Sequence, residues 1–219
     1  MGFMTNDLKP LIRRVITIDY TFGHRHAPSS LSALPIVAAI YDGMEPDDVF
    51  ILSKGHAAAA LYAVLEAHGF HPDITKVHPE RDPANGVEIT SGSLGHGLPI
   101  AVGMAWAKQM RGEPGIVHVL MGDGECQEGT TWEALNLARR LEIRRLVVHI
   151  DLNRRQCCDP LLMDSDWLMN CFADMMGMFY IRFHETIKGN GVKMFEHTPW
   201  KSTHLITDAD YAAIMEELK

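Results

Sequence analysis

The sequence predicts an α/β fold, a parallel β-sheet flanked by helices on both faces. Three observations point there. Ile116–Met121 and Leu146–Asp151 are short runs, mostly apolar and rich in β-branched residues, each of strand length. Thr130–Leu141 lies between them and reads as a helix. Further helical segments come earlier, so helices alternate with buried strands, and that alternation builds parallel sheets.

Taken in chain order, Asp7–Ile18 is a short helix with apolar residues at Leu8, Leu11, Ile12, Val15 and Ile16. Helices are also expected at Leu31–Tyr41, Ala57–His68 and Ile100–Met110. Loops rich in Pro, Gly and Asp fall at Asp42–Asp48, His71–Gly86 and Arg111–Gly115. Residues 1–25 are set apart as a helical segment, and 26–219 form one domain. There is no internal repeat and no low-complexity stretch.

A chain of 219 residues can bury one good core. The formal net charge of −8, with no basic cluster beyond short pairs such as Arg139-Arg140 and Arg144-Arg145, argues against nucleic acid as the main partner. Of the four cysteines, Cys126, Cys157, Cys158 and Cys171, none forms a Cys-x-x-Cys pair. A structural zinc site is not expected, and a reduced, cytoplasmic setting is. Asn6 stands where a myristoylation signal needs Ser or Thr. No apolar run has the length of a signal core or a membrane span.

The most informative stretch is Gly122–Gly129, Gly-Asp-Gly-Glu-Cys-Gln-Glu-Gly, with Asn153 placed 30 positions after Asp123. A Gly-Asp-Gly turn between strand and helix offers backbone N–H groups to an anion. The second strand delivers Asn153 beside Asp123. Two side-chain oxygens from adjacent strand ends suit a hard cation, with phosphate oxygens completing its shell. Each residue also has a plainer reading. Asp123 caps a helix, Asn153 starts a turn, and Gly124 is a turn glycine.

The ordered motifs decide between these readings. Ser53-Lys54-Gly55-His56, Gly86-Val87-Glu88, Ser91 to Gly97 (Ser-Gly-Ser-Leu-Gly-His-Gly), Gly122–Gly129, Trp132-Glu133-Ala134 and Thr186-Ile187-Lys188-Gly189 follow one another as in a known family. From about Ser29 to Tyr211 the chain resembles the N-terminal, diphosphate-binding half of a transketolase. The resemblance implies a thiamine-diphosphate-binding fold, with thiamine diphosphate and Mg²⁺ (or Ca²⁺ or Mn²⁺) as cofactors. It implies metal ligation by Asp123, Asn153 and the backbone carbonyl of Arg155. It places Gly122, Gly124 and Glu125 at the diphosphate. Gly92 and Leu94 would frame the cofactor rings.

By the same resemblance His56 faces both diphosphate and substrate. His26, heading His-Ala-Pro-Ser-Ser-Leu-Ser, and His78, heading His-Pro-Glu, would touch the ketose and move protons. His24 is read as structural. Glu128 and Glu133 match carboxylates at the subunit interface, and both also suit a helix N-terminus. Asp151 either orients a neighbouring group or is a buried structural carboxylate.

The pattern also departs from the family. Transketolases activate the cofactor with a glutamate on a second, pyrimidine-binding half, where the phosphate-gripping arginines also lie. The expected partner is therefore a separate pyrimidine-binding chain carrying that glutamate, in a heterotetramer that takes sugar or sugar-phosphate substrates. Pro35 stands where the family usually has glutamate. Only eight residues separate Gly177 from Thr186, where the family has an extra strand–helix unit, so a shorter sheet edge is expected. Trp200 is followed by Lys201 rather than histidine, with His204 close by, and either could replace the family's diphosphate-contacting histidine. The function implied is ketol transfer from a ketose to an aldose by a two-chain enzyme. The alternatives are a deoxyxylulose-phosphate-synthase-like or 2-oxo acid dehydrogenase-like component, or a non-catalytic thiamine-diphosphate-binding paralogue.

Overall fold

The structure is a computed structural model, and it describes residues 7–156, 159–175, 177–196 and 204–219. Its centre is a four-stranded, fully parallel sheet in the order β1-β2-β3-β6. The strands are β1 (Val49–Leu52), β2 (Val117–Gly122), β3 (Leu146–Leu152) and β6 (Tyr180–Glu185). All seven residues of β3 are buried, which is why this strand reads as a nearly continuous apolar run. A two-residue antiparallel pairing, β4 (Arg155–Gln156) with β5 (Asp159–Pro160), follows β3.

Helices cover both faces. On one face α1 (Lys9–Phe22), α2 (Ala27–Gly43), α3 (Ala58–Ala67) and α7 (Asp208–Glu217) pack with Phe50, Leu52 and Leu120. On the other, α4 (Gly97–Arg111), α5 (Gly129–Arg140) and α6 (Ser165–Met175) pack with Ile51, Val119, Val148 and Ile150. Alternate residues of β1 and β2 enter opposite clusters, as the period of two requires. Val15, Ile16 and Ile18 bury α1 in the same cluster as α2 and α3.

Several elements differ from the sequence reading. Helix α2 starts earlier, at Ala27, because Pro28 fits the first turn of a helix, where no N–H is needed. It also runs through Pro35, which cannot donate to the preceding turn. The short strand β1 was not expected. A 3-10 turn, Gly124–Gln127, intervenes between the Gly-Asp-Gly loop and α5, so that loop does not open directly into the longer helix. Six of the eight residues between Gly177 and Thr186 form β6, which pairs directly with β3 as the sheet edge.

Three histidines join the strands on the α2 side of the sheet. His118 Nδ1 lies 3.1 Å from His149 Nε2, and His149 Nδ1 lies 2.9 Å from His184 Nε2. Asp48 sits 3.8 Å from the outer nitrogen of His118. Burial holds His149 down to about 3, helped by His184, His118 and Arg182. Burial also lowers His118 and His184. The unfolded chain therefore binds a proton at His149 that the folded chain rejects. Stability is full above the unfolded value near 6.5 and falls as pH drops from there towards 3. We expect His149 to remove about 2 kcal/mol of stability at pH 5 relative to pH 7. Urea unfolding of the wild type and His149→Leu at both pH values isolates this contribution. Equal pH dependence in the two proteins would remove His149 as its source.

Candidate active site

Parallel sheets present ligands at the carboxyl ends of their strands, and three such ends converge here. β1 leads into Ser53-Lys54-Gly55-His56, β2 into Asp123 and Gly124, and β3 into Asn153. The turns surround a cleft of about 310 Å³. His26, His56 and His78 line it together with Asp123, Gly124 and Asn153. Gly122, Gly92, Leu94, Glu125, Glu128 and Arg155 line it as well. One cleft thus brings together most of the residues singled out from the sequence. Glu133 is exposed on α5 and lies outside the cleft lining. His204 is exposed and also outside it, and Lys201 lies outside the described residues.

Asp123 is only 1% exposed. Its Oδ1 accepts the Gly124 N–H at 2.8 Å, and its Oδ2 accepts the Arg154 N–H at 2.6 Å. Arg154 reaches it from a left-handed conformation, φ 59°. Burial raises the Asp123 carboxyl to about 6, with help from the Asp151 charge. Asn153 accepts the Arg155 N–H at 3.0 Å through Oδ1 and donates to Asp151 at 3.3 Å through Nδ2. Its amide oxygen keeps a second lone pair.

Behind these groups sits a buried ion pair that the sequence reading did not identify. Lys54 Nζ donates to Asp151 Oδ2, with both side chains almost inaccessible. Ser32 from α2 adds a hydrogen bond at 2.7 Å, and Thr186 donates to the other oxygen. Burial pushes the Asp151 carboxyl up, but Lys54 and the hydroxyl donors outweigh it and hold Asp151 below its ordinary range. Glu125 ties three loops together. It accepts from Ser53, from the Gly95 N–H at 2.8 Å and from the Gly122 N–H at 3.2 Å. Burial raises its carboxyl.

The histidines form a cluster. The His26 ring lies 5.5 Å from His56 and 6.2 Å from His78. Burial lowers His26 to about 4, aided by His78 and Lys188. Burial and then the Lys54 charge lower His56 well below its ordinary value. Both are neutral imidazoles at pH 7. Asp19, 2% exposed, fixes the turn that carries His26, accepting the N–H groups of Arg25 at 3.1 Å and His26 at 3.0 Å. Gly92 adopts φ 134°, and a Cβ there would stand 3.1 Å from the His78 ring, so this approach needs glycine. His24 is buried beside Phe22 and Tyr62, away from the cleft lining.

The donor set fits a cation carried by an anionic ligand. Among the described residues no three His, Cys, Asp or Glu side chains gather into a metal-binding cluster. Asp123 pairs with Asn153 at neighbouring strand ends, and burial and the Asp151 charge raise its affinity for a proton. A divalent ion there would offset that charge and still need oxygens from outside the protein, which a diphosphate supplies.

Residues 42–161 match the family model described as the transketolase, thiamine diphosphate binding domain. The chain is 30% identical to an apulose-4-phosphate transketolase subunit of Actinobacillus succinogenes, over 89% of this chain and 87% of that protein. It is 34% identical to the 6-deoxy-6-sulfo-D-fructose transketolase subunit SqwG of Clostridium sp. (strain MSTE9), over 61% of this chain and 56% of that protein. Among solved structures it superposes on the transketolase from Leishmania mexicana with a TM-score of 0.71 at 22% identity. That match covers 96% of this chain and 44% of the other, so the chain spans less than half the length of that transketolase. The alternation of buried strands and helices, the Gly122–Gly129 loop and the family match agree: the chain belongs to the transketolase family, as its thiamine diphosphate-binding domain.

Proposed function

We propose that the chain is the diphosphate-binding subunit of a two-chain, thiamine diphosphate-dependent transketolase. The observation that carries this reading is the shared cleft. A buried carboxylate and a half-buried amide suited to a metal diphosphate line the same cleft as three clustered histidines. Bound thiamine diphosphate supplies the carbanion chemistry that breaks and forms the bond next to a carbonyl. Asp123, Asn153 and the Arg155 carbonyl hold Mg²⁺, for which Ca²⁺ or Mn²⁺ can substitute. The Gly124 N–H, which Asp123 accepts here, lines the cleft and is the backbone donor this reading assigns to a phosphate oxygen. Neutral His26 and His56 can take a proton from a sugar hydroxyl and return it, and His78 shares the same wall.

A partner chain that holds the pyrimidine end and its glutamate would complete the cleft, within a heterotetramer. The names of the relatives as transketolase subunits support a partner. So do the exposed apolar side chains Leu94, Ile100, Trp106 and Leu137 around the Gly97 and α5 segments. Glu128 and Glu133 belong to that interface in this reading. The proposed setting is the cytoplasm, where thiols such as Cys126 and Cys171 stay reduced.

The test is an assay of the purified chain with and without a pyrimidine-binding transketolase chain, with Mg²⁺ and thiamine diphosphate present. Ketol transfer is expected only after mixing. Turnover by the chain alone would overturn the two-chain reading. Tight cofactor binding in the mixed complex without transfer from any ketose would favour a non-catalytic binding role instead.

A further inference from the structure

β6 is an edge strand of the parallel sheet, hydrogen-bonded to β3. Its residues are exposed or half-buried, so little apolar burial anchors it. On the α6 face, Ile181 and Phe183 pack against the apolar cluster. On the α2 face stands His184, whose Nε2 lies 2.9 Å from His149 Nδ1 with the two rings stacked at 5.2 Å. His149 reaches His118 on the next strand in turn. Three strands thus give one imidazole each to a single row. The row runs diagonally, because His149 is in register with Leu120 and His184 with Asp151.

β6 also leads into one wall of the cleft. Thr186, directly after it, donates its N–H to the Leu152 carbonyl at 3.3 Å and its hydroxyl to Asp151. Lys188 lines the cleft, and the Gly189 N–H docks on the Pro28 carbonyl at 2.9 Å, in the first turn of α2. The charges that act on the row are few. Asp48 sits beside His118, Arg182 acts on all three rings, and the Asp151 charge acts on His184. α2, packed on β3 at this face, carries a single charged residue, Asp42, and that residue faces His68. Neutral imidazoles can bond end to end in such a row, each accepting with one nitrogen and donating with the other.

We propose that the His118–His149–His184 row is an acid-sensitive latch: neutral, it holds β6 and the 186–188 wall of the cleft in place, and protonation releases both. His149 and His184 are then positioning residues that act on the cleft through β6. This names a regulation of the cleft and rests on the transketolase reading only for its effect on turnover. The direction follows from linkage. Burial holds these imidazoles below their ordinary value, and a ring freed by detachment of the edge moves back towards it. The detached form therefore binds a proton more tightly, and falling pH favours it below about 6.5. A second proton on a neighbouring ring adds repulsion across a hydrogen-bond distance. A poorly buried edge opens at less cost than the whole fold, so the edge responds before the central strands do.

Amide hydrogen exchange of the purified chain reads the latch without any assay of activity, as protection relative to an unstructured peptide at the same pH. From pH 7 to pH 5 the protection of the β6 amides should fall about ten-fold, and the Gly189 amide should fall with them. Both should stay less protected than Val119 in β2, which marks a local opening. In His149→Leu the fall should nearly vanish. Four results overturn the proposal: constant protection in the wild type, a loss in β6 that leaves Gly189 unchanged, protection that matches Val119 throughout, or the same fall in His149→Leu. The first three need only the wild type, so a variant that fails to fold does not shield the proposal. In the reconstituted two-chain complex, kcat/KM for a ketose should fall less steeply towards acid in His149→Leu than in the wild type, and identical acid limbs would also overturn it. If exchange behaves as expected but the complex transfers ketol from no ketose, the latch stands and the transketolase reading fails.

Discussion

Replacing Asp123 by asparagine should weaken binding of thiamine diphosphate with Mg²⁺ by about 100-fold or more while leaving the unliganded chain nearly as stable. The two halves of this expectation have separate causes. Asparagine removes the only negative side chain offered to the metal and leaves the diphosphate charge less neutralised. Without ligand, the same charge is a burden. Burial and Asp151 raise the Asp123 carboxyl to about 6, so ionising it at pH 7 costs the fold up to about 3 kcal/mol. Asparagine removes that cost. It also turns an NH₂ towards one of the two N–H donors that Asp123 accepts, Gly124 or Arg154, and an unmade bond there costs about 1–3 kcal/mol. The terms nearly cancel, so the urea midpoint should move by about 1 kcal/mol or less in stability. Calorimetry of the mixed two-chain complex reads the affinity. Unchanged cofactor affinity would show that Asp123 is only the cap of the Gly124–Gln127 turn.

How much of this was legible in the sequence depended on burial and on sequence distance. β2 and β3 showed as apolar runs because both are central strands with covered faces. β6 is an edge strand with exposed and half-exposed positions, and its Arg182, His184 and Glu185 hide the pattern. β1 has only four residues, too few for periodicity to register. α7 was missed although Thr207 and Asp210 form a capping box at its start, a signal that could have found it. In the site, the spacing of Asp123 and Asn153 pointed to two strand ends that meet at the cleft, and motif context pointed to three histidines that line it. The supporting shell was invisible. Asp19 acts through backbone N–H groups six and seven residues ahead, and no side-chain motif records that. Lys54 and Asp151 are 97 residues apart and meet only because β1, β2 and β3 are neighbours.

That ion pair should give the largest loss of stability of any single substitution near the cleft. Lys54→Met removes the cation and leaves the Asp151 carboxylate fully buried among Ser32, Thr186 and Asn153. Breaking one side of a buried pair costs about 3–5 kcal/mol, because the remaining charge has no water and no counter-ion. Replacing both partners is a different experiment. Lys54→Met with Asp151→Asn leaves no stranded charge, and much of the loss should return, since buried pairs stabilise little relative to neutral groups of similar size. The pH dependence adds a check that packing alone would not produce. In the wild type, Lys54 holds the Asp151 carboxyl below its ordinary range, so the pair contributes stability at neutral pH that is lost only as pH falls through that lowered value. In Lys54→Met, burial acts unopposed by a neighbouring cation and pushes the Asp151 carboxyl up. The variant's deficit relative to wild type should then shrink as pH falls from 8 to 5, because Asp151 can take up a proton and shed its charge. A deficit independent of pH, with no recovery in the double variant, would mean that Lys54 matters for its packed methylenes and not for its charge.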